Sequence, residues 1–178
     1  MNIKSNKLKL DETQYEVARL DKEQLNNLIF DSEDEDLNDF IFNESLGYCK
    51  KSLAVVYLVY PGSTVLGYFS LSADSVKINE KLDINLKYYP SLKIGRLAVD
   101  KKFKGCGIGT WIIDWIIGYI LKIRSGHGIR YLSVDAYNND NIVKFYEKNK
   151  FVIYHKKKNK NKINIPMYLD INYMDNNN

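Results

Sequence analysis

Apolar residues recur along this chain with two periods, one of strands and one of helices. Tyr15–Leu20 (YEVARL) reads as a first strand, and Asp21–Phe30 is helix-prone. Ser32-x-x-Glu35 has the form of a capping box. Leu37, Phe40, Ile41 and Tyr48 follow at helical spacing and predict an amphipathic helix ending near Lys51. Leu53–Tyr60 (LAVVYLVY) and Thr64–Ser72 (TVLGYFSLS) flank Pro61-Gly62-Ser63, which predicts a β-hairpin with Pro and Gly in its turn. Residues 73–90 are mixed and polar and read as a surface excursion. Arg96-Leu97-Ala98-Val99 then reads as a buried strand. Ile108, Ile112, Trp115, Ile116, Tyr119, Ile120 and Ile123 draw the stripe of a long helix over 107–124, stopped by Gly126 and Gly128. Trp111 and Trp115 are expected in the core. Ile129–Ala136 predicts a second buried strand, and Asn139 opens a short helix carrying Ile142, Phe145 and Tyr146. Phe151–Lys156 and Ile163–Tyr173 predict a terminal strand pair around a basic turn, and residues 1–10 read as frayed.

The chemistry concentrates between the Leu97 strand and the long helix. Lys104-Gly105-Cys106-Gly107-Ile108-Gly109-Thr110 has glycine at every second position. Glycines so spaced let the backbone approach a ligand with no Cβ in the way. The first amides of the next helix have no intrahelical acceptor, and the helix dipole adds positive potential there. Together they make an anion site for phosphate or pyrophosphate, with Lys104 as a cation at its rim. The segment lacks GxxxxGK[ST], and its glycines run G-x-G-x-G rather than G-x-G-x-x-G. A nucleoside triphosphate P-loop and a dinucleotide fingerprint are therefore both poor fits. A plain strand-to-helix turn is the alternative reading of the heptad alone.

Composition narrows the setting. The chain has 178 residues and is 45% hydrophobic, enough for one domain spanning 1–178 with its own core. No apolar run is long enough to span a bilayer, and the N-terminal MNIKSNKLKLDE has no apolar leader. Cys49 and Cys106 have no disulfide or metal spacing, and His127 and His155 stand without a Cys/His cluster. We expect a reduced, cytoplasmic protein with no metal site and no membrane partner. The formal net charge of +4 is modest but unevenly spread. Asp31–Asp36 is acidic and reads as a solvated helix start, whereas His155–Lys162 is strongly basic.

A second motif follows the Val134 strand: Asn139-Asp140-Asn141-Ile142-Val143-Lys144-Phe145-Tyr146-Glu147-Lys148-Asn149-Lys150-Phe151. With Lys104-x-x-Gly107-x-Gly109 it resembles the paired signatures of the GNAT family of N-acetyltransferases. There an Arg or Gln precedes x-x-Gly-x-Gly/Ala, an Asn opens a short helix, and a Phe/Leu-Tyr pair precedes Gly-Phe. Lys104 keeps the charge of the family's first position. Lys150 replaces the glycine before Phe151, and Asn149 is expected to serve as the cap instead. The resemblance runs from about Phe30 to Ile171. It implies an α/β GNAT fold: a mixed, mostly antiparallel sheet flanked by helices, with the Leu97 and Val134 strands parallel and splayed. The helix 107–124 should join them as a right-handed crossover.

The resemblance also implies acetyl-CoA as cofactor. Its pyrophosphate would lie on Lys104, Gly105, Cys106, Gly107, Ile108, Gly109 and Thr110, and its pantetheine and thioester on the backbone of Leu97, Ala98 and Val99. Asn139 and Phe145 belong to the same cofactor set. Tyr146 would be the general acid that protonates the leaving thiolate, since a phenol with pKa about 10 stays protonated at neutral pH; a core aromatic is its alternative reading. Direct transfer needs no nucleophile, so an acyl-Cys106 intermediate is not expected. Arg96 has two open readings, substrate contact or strand anchor, and no residue stands out as general base.

DLNDFIFNESLGYCKKSLAVVYLVY, VLGYFSLSADSV and YYPSLKIGRLAVD resemble the toxin-type branch of bacterial toxin–antitoxin pairs, which acetylates the α-amine of aminoacyl-tRNA. That implies charged tRNA as the amine substrate and a ribbon-helix-helix antitoxin as partner; a homodimer is compatible with it. The alternatives are acetylation of a small-molecule or protein amine, and a non-catalytic acyl-CoA-binding module. Lys156, Lys157, Lys158, Lys160 and Lys162 are either phosphate contacts or a solvated loop.

Overall fold

The computed structural model describes residues 11–78, 86–154 and 163–172. Its strands are β1 (Glu16–Arg19), β2 (Val55–Tyr60), β3 (Gly67–Val76), β4 (Tyr89–Val99), β5 (Tyr131–Tyr137), β6 (Val152–Ile153) and β7 (Asn164–Asp170). They form one seven-stranded sheet in the order β1-β2-β3-β4-β5-β7-β6. β4 and β5 are parallel, while β1–β2, β5–β7 and β6–β7 are antiparallel. This is the mixed sheet with one parallel pair that the sequence predicts. The parallel ladder matches Ser91–Ile94 with Tyr131–Val134 and ends there. Beyond it β4 runs on to Val99 and β5 to Tyr137. The helices are α1 (Lys22–Asn26), α2 (Glu35–Asp39), α3 (Ser45–Lys50), α4 (Ile108–Ile123) and α5 (Asp140–Lys148), with a π turn at Phe40–Glu44 between α2 and α3. Among the described residues no helix is long and apolar enough to cross a membrane.

The chain divides into two compact units. The first is Met1–Ser70 with Arg96–Ile112. Its core gathers Leu20, Phe30, Phe40, Ile41, Val56, Leu58, Tyr68 and Ala98. Phe30 meets the Tyr68 ring edge-on at 5.4 Å, and the Tyr68 hydroxyl donates to Leu37 O at 2.7 Å, tying β3 to α2. α1 starts with a reciprocal cap: Gln24 N–H donates to Asp21 Oδ1 at 2.8 Å and Asp21 N–H to Gln24 Oε1 at 3.0 Å. The second unit is Leu71–Gly95 with Ile113–Asn178. Val76, Ile78, Tyr89, Tyr131 and Tyr168 cluster there. β5 buries Tyr131 through Val134 in succession, as a strand covered on both faces does.

Several predicted boundaries move. Ser32 does not cap α2. It is buried, with its N–H and hydroxyl donating to Asn38 Oδ1 at 2.9 and 2.8 Å. Asp34 caps instead, accepting from Leu37 N–H at 3.0 Å, because a carboxylate suits a helix N-terminus better than a sequestered hydroxyl. The amphipathic stripe to Lys51 is interrupted by the π turn, which apolar spacing does not reveal. Residues 73–76 continue β3 with one solvated face, and β4 begins at Tyr89, so the polar excursion is shorter than 73–90. Pro90 sits near the start of β4, where proline is tolerated, and its carbonyl accepts from Arg130 N–H at 3.0 Å. Trp111 and Trp115 are half-buried, not core: Trp111 meets Tyr15 edge-on at 5.0 Å and Trp115 stacks on Tyr119 at 5.5 Å. The terminal pair is β6 with β7. Residues 1–10 and the turn carrying the five lysines lie outside the described residues.

The close of α5 is a Schellman motif. Phe151 N–H donates to Tyr146 O and Lys150 N–H to Glu147 O, each at 3.0 Å. Asn149 is the C-cap residue, and its side-chain amide donates to Phe145 O at 2.8 Å, but the left-handed residue is Lys150, at φ +68°. Lys150→Gly is expected to raise unfolding stability by about 1 kcal/mol in urea titration, because glycine carries no Cβ penalty at that φ.

Candidate active site

In the first unit, the strand-to-helix connection is built from an aspartate that turns the chain. Asp100 is buried at 4% exposure. Its Oδ1 accepts from Lys102 N–H at 2.9 Å, closing a 3-10 turn over Lys101–Phe103, and its N–H donates to Leu66 O at 2.9 Å. Gly105 and Gly107 follow at φ +75° and +88°, where a side chain would be strained. α4 begins at Ile108, and its first bond runs from Trp111 N–H to Gly107 O at 3.0 Å. The amides of Ile108, Gly109 and Thr110 precede that bond and are the donors an anion would take. A Cβ built on Gly107 would meet only Glu12 Oε1, at 3.9 Å, so the cradle is open. The donor set suits an anion such as pyrophosphate, and Glu12 is the side chain that borders the loop at Gly107. Ile108 is buried and anchors the first turn, whereas Thr110 is exposed. Cys106 is half-buried, its sulfur 4.0 Å from Lys104 O.

Upstream, Ala98 is buried, with Leu97 and Val99 half-buried on β4. β3 approaches so closely that a Cβ on Gly67 would lie 2.6 Å from Ala98 O. Gly67→Ala is expected to cost about 2–3 kcal/mol, since backbone rather than a flexible side chain must move; a denaturant midpoint measures it. Arg96, on β4, reaches α2 and the π turn: its Nε is 3.4 Å from Asp36 Oδ2, and its guanidinium stands over the Phe40 ring at 5.1 Å. These contacts give the strand-anchor reading of Arg96 its physical basis.

The acidic run Asp31–Asp36 does more than cap α2: two of its carboxylates pair with lysines of the strand-to-helix connection. Asp31 Oδ2 accepts from Lys101 Nζ at 2.7 Å, and Oδ1 from Glu33 N–H at 2.8 Å and Asn38 Nδ2 at 3.0 Å. Its own N–H donates to Asp100 Oδ2 at 3.1 Å, and its carbonyl accepts from Lys101 N–H at 2.8 Å. Lys101, with the Glu33 amide and Asn38, holds the Asp31 carboxyl well below the usual carboxylate range. Glu33 takes a left-handed φ of +59° and pairs with Lys104 Nζ at 3.1 Å. The lysine assigned to the anion thus already has a carboxylate partner. These pairs join residues some seventy positions apart, which local pattern cannot show.

In the second unit, Asn139 caps α5 by accepting from Asn141 N–H at 2.9 Å, as the motif requires. Tyr146 is buried at 6% exposure, edge-on to Phe145 at 5.0 Å and Phe151 at 5.2 Å. Burial pushes its phenol above the usual range. It is thus a core aromatic by packing and, by ionisation, a group that keeps its proton. Among the described residues no cluster of His, Cys, Asp and Glu could hold a metal ion.

The family model for acetyltransferases of the GNAT family matches residues 15–151. No curated relative matches the sequence. Among solved structures, a tyrosine-to-phenylalanine variant of KacT has a TM-score of 0.79 at 21% identity, over 93% of this chain and 99% of that one. AtaT complexed with acetyl-methionyl-tRNAfMet gives 0.75 at 21% identity, over 90% and 97%. AtaTR bound with acetyl-CoA gives 0.75 at 21%, over 92% and 97%.

Proposed function

The chain belongs to the GNAT acetyltransferase family and is an acetyl-CoA-dependent N-acetyltransferase, and from that premise we propose that its acceptor is the α-amine of aminoacyl-tRNA. The observation that carries this reading is the likeness, over nine-tenths of the chain, to AtaT solved with acetyl-methionyl-tRNA. The toxin-like segments DLNDF, GYFSLSA and GRLAVD support it.

The residues divide the work as follows. The amides of Ile108, Gly109 and Thr110, with Lys104, hold the pyrophosphate, and the open cradle at Gly107 lets the phosphates reach the backbone. Backbone groups of Leu97–Val99 hold the pantetheine and the thioester. Acetyl-CoA supplies an activated acyl group. With acetyl-CoA bound, attack of the neutral amine on the thioester would break its C–S bond, and Tyr146 would supply the proton taken up by the departing sulfur. The new amide would pass its extra proton to water, and that proton would balance the one Tyr146 has to regain. An α-amine, with reference pKa about 8, is already partly neutral at pH 7, so this acceptor demands little of a general base; a lysine amine at about 10.4 demands more. An antitoxin is the partner this reading assigns, as AtaT is bound to AtaR.

Thiol release from acetyl-CoA tests the reading. Charged tRNA is expected to start it, and the same tRNA after deacylation is not. Release with a polyamine or peptide amine but not with charged tRNA would overturn the tRNA acceptor and leave a general amine acetyltransferase.

A further inference from the structure

We infer that Glu33 is an exchange counter-ion for Lys104: it holds the lysine until the cofactor's pyrophosphate displaces it, and so sets how tightly the cofactor is held. The inference rests on the proposed placing of pyrophosphate on the Lys104–Thr110 loop.

Lys104 Nζ lies 3.1 Å from Glu33 Oε2, with the two side chains 49% and 59% exposed. A pair so exposed is weak and can break, unlike a buried one. Its geometry is nevertheless prepared. Glu33 occupies φ +59°, a region costly to a residue with a Cβ. That conformation is fixed by Asp31, which takes the Glu33 N–H at 2.8 Å while gripping Lys101 Nζ at 2.7 Å, three residues before Lys104. Both members of the pair are therefore delivered by one braced connection, and the turn is strained only where it presents the carboxylate. On this inference Lys104 exchanges Glu33 for a phosphate oxygen. Every acetyl-CoA that binds gives up the first contact for the second, and every CoA that leaves regains it. Glu33 thus lowers cofactor affinity and assists product release. Lys101 stays on Asp31 throughout, so the brace survives the exchange.

Glu12 also faces this loop, near Gly107, but does not pair with Lys104 in the described contacts. It separates a specific exchange from a general effect of negative charge.

Calorimetric titration of the full chain with CoA and with acetyl-CoA tests the inference. Glu33→Gln is expected to tighten binding about threefold at low salt, and less at high salt, as an exposed ion pair allows. Glu33→Asn, which suits left-handed backbone better, should do the same and guards against a folding defect. Lys104→Gln should weaken binding about fivefold or more, and adding Glu33→Gln to it should then change nothing further. If Glu33→Gln and Glu33→Asn leave affinity unchanged or lower it while Lys104→Gln weakens it, the exchange is wrong and the loop assignment stands. If Glu33→Gln tightens binding equally in the Lys104→Gln background, or Glu12→Gln matches it there, the effect is a general field and the exchange is again wrong. If Lys104→Gln and Gly107→Glu are both silent, the loop assignment itself fails.

Discussion

Tyr146→Phe is expected to lower turnover by about 100-fold or more while leaving acetyl-CoA affinity within about twofold, because a positioned general acid contributes on that scale. The phenylalanine keeps the edge-on contacts with Phe145 and Phe151, so the core of the second unit is preserved. Only the hydroxyl is lost. Burial holds the phenol above its usual range, so the acid stays protonated through neutral and mildly alkaline solution. The wild-type rate should therefore rise as the acceptor amine deprotonates near pH 8, without an alkaline fall from Tyr146 below about pH 10. The same burial penalises the phenolate in the folded chain. Stability is then full below the phenol's ordinary value and is lost as pH rises above it; Tyr146→Phe removes that loss. Steady-state turnover with calorimetric affinity measures the first effect. Unchanged turnover would leave Tyr146 as core packing alone.

Gly107→Glu is expected to weaken acetyl-CoA binding by about 100-fold or more, close to 3 kcal/mol. Two causes add. A side chain at φ +88° strains the turn that aims the α4 amides. The new carboxylate would also add negative charge, beside Glu12, to the loop proposed to hold the phosphates. A Gly107→Ala variant isolates the first cause, since its Cβ has room, and should show the smaller loss. Circular dichroism confirms folding of both. Wild-type affinity in Gly107→Glu would place the pyrophosphate elsewhere.

The parts of this protein that obey local rules were legible in the sequence. Ile112, Ile116 and Ile120 repeat at helical spacing and are fully buried on α4. The Tyr131–Val134 run is buried as a central strand. Glycine alternation marked the loop, and the left-handed Gly105 and Gly107 explain why those positions need glycine. Asn139 in the second motif is the cap it resembled. What escaped depends on distance or on strain. The solvated cap predicted for the acidic run holds at Asp34, but Asp31 meets Lys101 and Glu33 meets Lys104 only because folding brings α2's entrance to the β4–α4 connection. Ser32 fits a capping pattern whose hydrogen bond goes instead to Asn38. Lys150 takes a conformation that sequence logic reserves for glycine, held by the Schellman bonds and the Phe151–Tyr146 contact. The π turn has apolar residues where an α-helix would also put them.

The most direct test of the account is the chemical identity of the product. The chain is incubated with isotopically labelled acetyl-CoA and a total charged-tRNA pool, the RNA is digested to nucleosides, and mass spectrometry locates the label. An N-acetyl-aminoacyl group is expected on the terminal adenosine, with none on the deacylated control and about 100-fold less when Tyr146→Phe is used at the same short time. Label on a polyamine or peptide amine supplied alongside, with the aminoacyl-adenosine unlabelled, would contradict it.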